Sequence, residues 1–386
     1  MILKFYIVVF ACSCALANIK NYQNISDDFK VRVRIAKELN SVTISGTDLK
    51  RQLFPVNQKK IFAGRKKIKF NCSDFKADNK AYNNSMLLAS LESSTGLITF
   101  GKNKYHGKLN VVTSENKDSC DVVNEVDMDI YIGSLLAKEM NASWPIEALK
   151  AQAVAARTYA LYQISKAKLI DDTFFDLENS EKHQVNGDFF DVTKRTLQAS
   201  RETSGLILTN DRGEVIPAFF HASCGGHTIE PQEVWTNKVS GYKSANCEYC
   251  KTRQNWDNTL TRERFRSFLE WLVKKDYIRP VGDYKNIVVY PSMKKDNVHV
   301  ELSVGQRRLS LRKSLFRRYF GRVLFPSNNF HIVDGQTDGE ITFVGKGNGH
   351  GVGLCQVGAR SLAQKGLGYR EILSHYFPSL KLTKTI

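Results

Sequence analysis

The residues of this chain able to do chemistry fall in three places. In the first, "EMNASWPIEALKAQAVAARTYAL" (residues 139–161), Glu139 stands before a Trp-Pro step and an alanine-rich segment that carries Lys150 and Arg157. Helical periodicity brings Glu139 beside Ile132, Leu135 and Leu136, and an apolar surround disfavours the charged form of a carboxylate. A carboxyl kept protonated in this way is a proton donor for general acid catalysis. Two plainer readings compete with it. Glu139 is a helix-end surface carboxylate paired with Lys150 or Arg157, or one acid and two bases line an anion-binding cleft without doing chemistry. Lys150 and Arg157 lie two turns apart, so they share a helix face at a spacing of ~10 Å.

The second place holds "CGGH" (Cys224 to His227) and "CEYC" (Cys247 to Cys250). The pattern C-x2-H followed by C-x2-C resembles a tetrahedral structural zinc site formed by Cys224, His227, Cys247 and Cys250. Four protein ligands close the shell, so such a metal staples a loop and activates no water. A Cys247–Cys250 or Cys224–Cys247 disulfide is the rival, and His221 is an alternative fourth ligand. Cys72 and Cys120 remain as a disulfide pair. The third place is "GKGNGHGVG", which fits neither G-x-G-x-x-G followed by an acid nor a Gly-Lys-Ser/Thr ending, and so argues against a nucleotide loop. It reads as a tight bend that delivers His350 and Gln356 to a cleft, with glycines allowing close backbone approach to a ligand. A purely structural turn is the alternative there. For Trp144, Tyr159 and Trp235 a core position is the default and stacking on a ligand ring the alternative.

These residues need a scaffold, and the flanking text supplies one. "VRVRIA", "SVTIS", "KKIKF" and "GLITF" alternate as strands and predict a β-rich region over residues 18–104. A strand pair follows and leads into a helix beginning near Asp129. The next helix begins near Pro145, a residue favoured in a first turn. Further strands, a basic segment with interleaved Leu and Phe, and a last helix in "YREILSHYF" complete an α+β chain, with residues 105–380 as its second region. Residues 1–17 have a basic Lys4, a short apolar run and a small-x-small ending, the shape of a secretory signal cleaved after Ala17. An exported protein without a membrane anchor after signal removal is expected, since no later stretch approaches ~20 apolar residues.

The chain of 386 residues is 42% hydrophobic and 25% charged, as globular proteins are, and carries a formal net charge of +17. Such a balance calls for a polyanionic partner. Export argues against nucleic acid, and no Cys2His2 finger or RNA-recognition signature favours it. The run Arg307, Arg308, Arg312, Lys313, Arg317, Arg318 and Arg322 either tracks a polyanion or forms a solvated helix face.

Residues 139–161, "FFHASCGGHT" (219–228) with "EVW" (233–235), and "GNGHGVGLCQVGARSLAQKG" (347–366) followed by "ILSHYF" together resemble the stage II sporulation protein D family, which includes peptidoglycan lytic transglycosylases and amidase-enhancer relatives. One departure is Cys355, where relatives carry a serine before the glutamine. The resemblance implies a SpoIID-like catalytic region and makes Glu139 the catalytic acid. It also makes Lys150 and Arg157 substrate contacts, and gives His221, as a motif residue, substrate work. It further implies a zinc near the cysteines, since some members carry one there. Its partners would be peptidoglycan glycan strands, polyanionic once stripped of stem peptides, and a cell-wall amidase. A glycoside hydrolase commonly needs two carboxylates. A lytic transglycosylase manages with one, because the C6 hydroxyl of N-acetylmuramic acid is the nucleophile and yields a 1,6-anhydro sugar. The competing functions are a noncatalytic strand-presenting enhancer of an amidase and a zinc hydrolase.

Overall fold

Alternation of apolar and polar residues builds the N-terminal sheet. In the computed structural model, residues 29–72, 86–115, 118–167, 174–178, 192–235, 239–250, 255–281, 287–289, 298–333 and 340–385 are described, and the expected leader over 1–17 lies outside them. The strands are β1 (Lys30–Leu39), β2 (Ser41–Leu53), β3 (Gln58–Asn71), β4 (Leu87–Glu92), β5 (Leu97–Phe100), β6 (Asn103–His106), β7 (Lys108–Thr113) and β8 (Cys120–Asp127). Val42 and Ile44 of β2 face inward while Ser41 and Thr43 face out, the period-2 pattern of a half-buried strand. The sheet order is β6-β5-β2-β4-β7-β8-β1-β9, with β3 paired to β2. The expected boundary at 104–105 falls inside β6, and the sheet runs through it. Cys72 and Cys120 form a disulfide between the end of the β3 segment and the start of β8.

The sheet leads directly into helices. Asp127 caps α1 (Met128–Glu139), its side chain accepting from the N–H groups of Asp129 and Ile130 at 2.9 and 3.1 Å. The central helix is α2 (Ile146–Ala167), where Ala148, Ala151, Ala153, Ala155, Ala156 and Ala160 are fully buried. Small side chains let neighbours approach on every side of it. Next come β9 (Leu177–Glu178), α3 (Lys194–Glu202), β10 (Leu206–Thr209), β11 (Phe220–His221) and α4 (Pro231–Val234). Thr193 and Thr196 cap α3 reciprocally.

Residues 255–346 form a second core between the second and third motifs. Here β12 (Asn255–Thr261), α5 (Arg262–Lys274), β13 (Ile287–Val289), β14 (His299–Val304), β15 (Arg307–Arg312), α6 (Lys313–Leu324), β16 (Phe330–Ile332) and β17 (Glu340–Lys346) surround Phe265, Phe268, Phe316, Phe325, Phe330 and Phe343. Antiparallel β12 and β17 pair Asn255 with Lys346, so the chain leaves and returns at one point. That keeps the second and third motifs adjacent despite the intervening sequence. The chain ends with β18 (Leu354–Cys355), α7 (Gln356–Gln364), α8 (Tyr369–Tyr376) and β19 (Lys381–Lys384), of which α7 and α8 pack on α2.

Candidate functional site

Glu139 is the last residue of α1 and is half-buried. The turn that follows is held in place: Ser143 N–H donates to Asn141 Oδ1 at 2.9 Å, and Arg195 donates to the carbonyls of Ala142 and Trp144 at 3.0 and 2.8 Å. Across from it, Gln356 opens α7, is almost fully buried, and points its Nε2 at Glu139 Oε2 over 3.5 Å. One turn further along α7, the Arg360 guanidinium lies 5.3 Å from the Trp144 ring centroid, and its Nε is buried without a partner. Glu139 also neighbours Tyr131, whose phenol is pushed far up by burial first and by the nearby Tyr159 and Glu139 next.

An aromatic wall runs on from there. Tyr159 meets Phe219 at 5.9 Å between centroids, Phe219 meets Trp235 at 4.6 Å, and Trp235 meets His350 at 5.2 Å. Tyr159 is largely core, as expected, whereas Trp144 and Trp235 are only half-buried. His350 lies 5.5 Å from His221, and the backbone of Val352 ties the two together. His221 Nδ1 lies 3.0 Å from the Val352 carbonyl, while Val352 N–H donates to His350 Nδ1 at 3.1 Å. The first contact puts the proton on His221 Nδ1, and the second requires a bare Nδ1 on His350. His221 Nε2 is then a buried acceptor without a partner. Burial brings His221 down to about 4. It also holds His350 well below the ordinary range, with His221, Arg317 and Arg322 adding to the effect. Both rings are neutral at pH 7. A small cavity beside His350 is lined by Ser223, His227, Ile229, Asn328 and Gly351.

The glycine block makes a close approach to the second motif. Gly349 has φ +116°, and a Cβ there would sit 2.6 Å from His221 Cβ. At Gly353 it would sit 2.2 Å from the Phe219 carbonyl oxygen. Parallel pairing of β11 with β18 joins His221 to Cys355 in register.

Lys150 and Arg157 do share a face, but that face is covered by α3. Arg157 is 2% exposed and donates to Asp129 Oδ1 at 2.7 Å and to the carbonyls of Thr203 and Ser200 at 2.7 and 2.9 Å. The end of a helix presents unpaired carbonyls and partial negative charge, which a guanidinium satisfies. The structure therefore places Arg157 inside the helical core. Lys150 is taken up by Glu147 at 2.9 Å and Glu202 at 2.8 Å.

The cysteines also regroup. Cys224, Cys247, Cys250 and Cys355 are buried and reduced, and their sulfurs all lie within 4.8 Å of one another. The Cys247–Cys250 and Cys250–Cys355 separations are 3.4 and 3.3 Å, too long for disulfides. Zinc–thiolate bonds of ~2.3 Å in a tetrahedron require sulfurs ~3.8 Å apart, which this cluster brackets, so the donor set fits a four-thiolate metal centre. His227 is outside it, because its backbone bridges Asn246 and its ring borders the cavity by His350. His221 is held by Val352 and is not the fourth member either. Cys355, a departure from the family pattern in the sequence, is the fourth member instead; it caps α7, its sulfur accepting from Gly358 N–H at 3.4 Å. Arg360, placed by an i, i+4 step from Gln356, was missed in the sequence.

The basic run at 307–322 divides. Arg312 donates to the Gln232 carbonyl at 3.1 Å beside the Trp235 loop, Lys313 is buried over the Phe330 ring, and Arg307 donates to the Pro280 carbonyl at 2.7 Å.

Comparison with known proteins agrees with the motifs. The family model described as stage II sporulation protein, SpoIID, matches residues 116–210. An uncharacterized protein of Brachyspira hyodysenteriae is 34% identical over 275 residues, 71% of each chain. The amidase enhancer of Bacillus subtilis is 26% identical over 366 residues, 83% of this chain, which spans only 50% of that protein's length. Stage II sporulation protein D of Bacillus subtilis is 27% identical over 277 residues, 68% of this chain and 76% of that one. With the first and third motifs meeting at Glu139 and Gln356, the second and third paired through β11 and β18, and relatives of this kind, the chain belongs to the stage II sporulation protein D family.

Proposed function

We propose that this protein has a cell-wall-related role as an exported lytic transglycosylase, cleaving the β-1,4 bond between N-acetylmuramic acid and N-acetylglucosamine in stem-peptide-free peptidoglycan. The observation that carries the reading is the meeting of Glu139 with Gln356, 217 residues apart in sequence, at the head of an aromatic wall. With Gln356 Nε2 directed at Oε2, this reading gives Oε1 the proton to be transferred. Glu139 then protonates the leaving glycosidic oxygen. The C6 hydroxyl of the same sugar closes on its anomeric carbon and returns its proton to the carboxylate. Asp129 and Glu147, the acids nearest to Glu139 in sequence on either side, are engaged by Arg157 and Lys150, so the chemistry asked of Glu139 is that of one carboxyl. Trp235, His350 and Arg360 are the side chains this reading assigns to the glycan, the first as a stacking surface and the last for the lactyl carboxylates.

In the same reading Cys224, Cys247, Cys250 and Cys355 hold a structural zinc. A four-thiolate shell has no open position, so the metal supplies rigidity and not a water nucleophile. Residues 1–17 act as the export signal, and a cell-wall amidase supplies the denuded strands. The relationship to the Bacillus subtilis amidase enhancer favours a second reading, a noncatalytic strand-binding enhancer. Incubating purified protein with denuded glycan strands and analysing the products by mass spectrometry separates the two. The first reading expects 1,6-anhydromuramyl ends with the native chain and none with Glu139→Gln; their absence from the native reaction would remove it.

A further inference from the structure

The hairpin of β2 and β3 lies outside the site described above and carries its own concentration of charge. β3 holds six cations, Lys59, Lys60, Arg65, Lys66, Lys67 and Lys69, and no acid. All six are exposed. Among the described residues β3 pairs only with β2, so its outer edge is bare. Asp48, next to this strand, already accepts from Gly64 N–H at 2.6 Å and from Ser94 at 3.2 Å. Glu92 is near Lys50 and Lys108, at 3.9 and 4.0 Å, and among the described residues no carboxylate forms an ion pair with the six.

The hairpin also has an orientation. Ile68 and Phe70 are buried against the sheet, so period 2 turns Arg65, Lys67 and Lys69 outward. An extra residue at Ala63–Gly64 shifts the register opposite Asp48, and beyond it Phe62 turns inward while Ile61 and Lys59 take the outer face. At the tip Val56 is 75% exposed and Ile61 65%, two of the most exposed large apolar side chains described. The base is fixed, since Cys72 is disulfide-bonded to Cys120 and donates its N–H to the Asn40 carbonyl at 3.0 Å. Lysines alone would guard a sheet edge against unwanted pairing. That role gives no reason for Val56 and Ile61 in water at the far end.

We propose that this hairpin docks the protein on an anionic lipid surface, with Val56 and Ile61 entering the interface and the cations of β3 meeting headgroup phosphates. Apolar side chains beside a cationic face are the two components of interfacial attachment, one scaling with buried area and the other with anionic charge. An acidic polysaccharide would engage the cations but offers no apolar phase for the tip. The inference is independent of any role for Glu139.

The test is co-sedimentation of the full chain with phosphatidylcholine vesicles, with and without phosphatidylglycerol. Any contribution of the N-terminal apolar run is common to all variants. Native protein binds the anionic vesicles, and binding falls toward the neutral-vesicle level as salt rises from 0.1 to 1 M and the screening length shrinks from ~10 to ~3 Å. Lys67→Gln/Lys69→Gln weakens partitioning about 30-fold, at roughly fivefold per cation. Val56→Ser/Ile61→Ser weakens it about tenfold or more without altering the salt slope. Circular dichroism confirms that these exposed substitutions leave the fold intact. Equal binding to neutral and anionic vesicles, or unchanged binding by both variants, would overturn the proposal. So would a loss seen only in pelleting with denuded glycan strands, which would make the hairpin a polysaccharide contact.

Discussion

Replacing Arg157 by methionine asks whether that guanidinium belongs to the substrate or to the fold. Methionine keeps most of the length and apolar body of the side chain and removes its charge and donors. What remains behind is Asp129, whose side chain is 19% exposed and loses a partner at 2.7 Å, together with the carbonyls of Ser200 and Thr203 at the end of α3. Removing one member of a buried ion pair costs ~3–5 kcal/mol, because the other charge stays desolvated. A domain of this kind is stable by only ~5–15 kcal/mol. With a urea slope of ~3 kcal/mol/M the unfolding midpoint falls by about 1 M or more, read from tryptophan fluorescence at pH 7. Asp129→Asn in the methionine background should recover part of the loss, with a coupling of ~1–3 kcal/mol between the two sites. A variant that unfolds at the native urea concentration yet no longer binds glycan strands would refute this reasoning and return Arg157 to the cleft.

The remaining expectations concern the site itself. Gln356→Ala should lower kcat for anhydro-end formation by about 10- to 100-fold with KM little changed, since the amide orients the acid and is not assigned to the sugar; an effect on KM alone would contradict the orienting role. Cys355→Ser should reduce zinc retained after dialysis, measured by mass spectrometry of the metal, and His227→Ala should leave it at the native level; the opposite ranking would restore His227 as the fourth ligand. Chelation of the native protein should lower the thermal midpoint together with activity, and activity lost with no change in midpoint would point to a catalytic metal. Gly349→Ala should destabilise by ~1–3 kcal/mol, as its Cβ would need a left-handed backbone and would meet His221 Cβ at 2.6 Å; native stability in a urea titration would contradict the close packing of the two motifs.

Local rules carried much of this architecture. The alternation in "VRVRIA" and "SVTIS" gives β1 and β2, and Pro145 stands just before the first residue of α2. Periodicity placed Lys150 and Arg157 on one face correctly, but periodicity says nothing about which neighbour covers that face. The answer lay in α3, whose terminal carbonyls call for a cation and which lies over 40 residues downstream. Ligand spacing had the same weakness. C-x2-C is a local signal, whereas Cys355 joins the cluster from 105 residues beyond Cys250, through the β11–β18 pairing. The second core over 255–346 escaped for a similar reason, since β12 and β17 pair across almost its whole length.

These long-range contacts converge on the first residue of α7. Cys355 caps the helix, pairs in register with His221, and belongs to the sulfur cluster; the next residue is Gln356. A metal bound by the four thiolates would therefore fix the start of α7 against the segment carrying Cys224 and against the 3-10 turn carrying Cys247 and Cys250. Gln356 Nε2 stands 3.5 Å from Glu139, at the long end for a hydrogen bond, so a shift of a few tenths of an ångström decides whether it donates at all. A serine at position 355 could also cap a helix. It cannot complete a four-thiolate shell. On the proposed reading, a metal held by this cysteine would link its rigidity to the orientation of Glu139 through a single peptide bond, and substitutions at the sulfur cluster should be read in kcat as well as in stability.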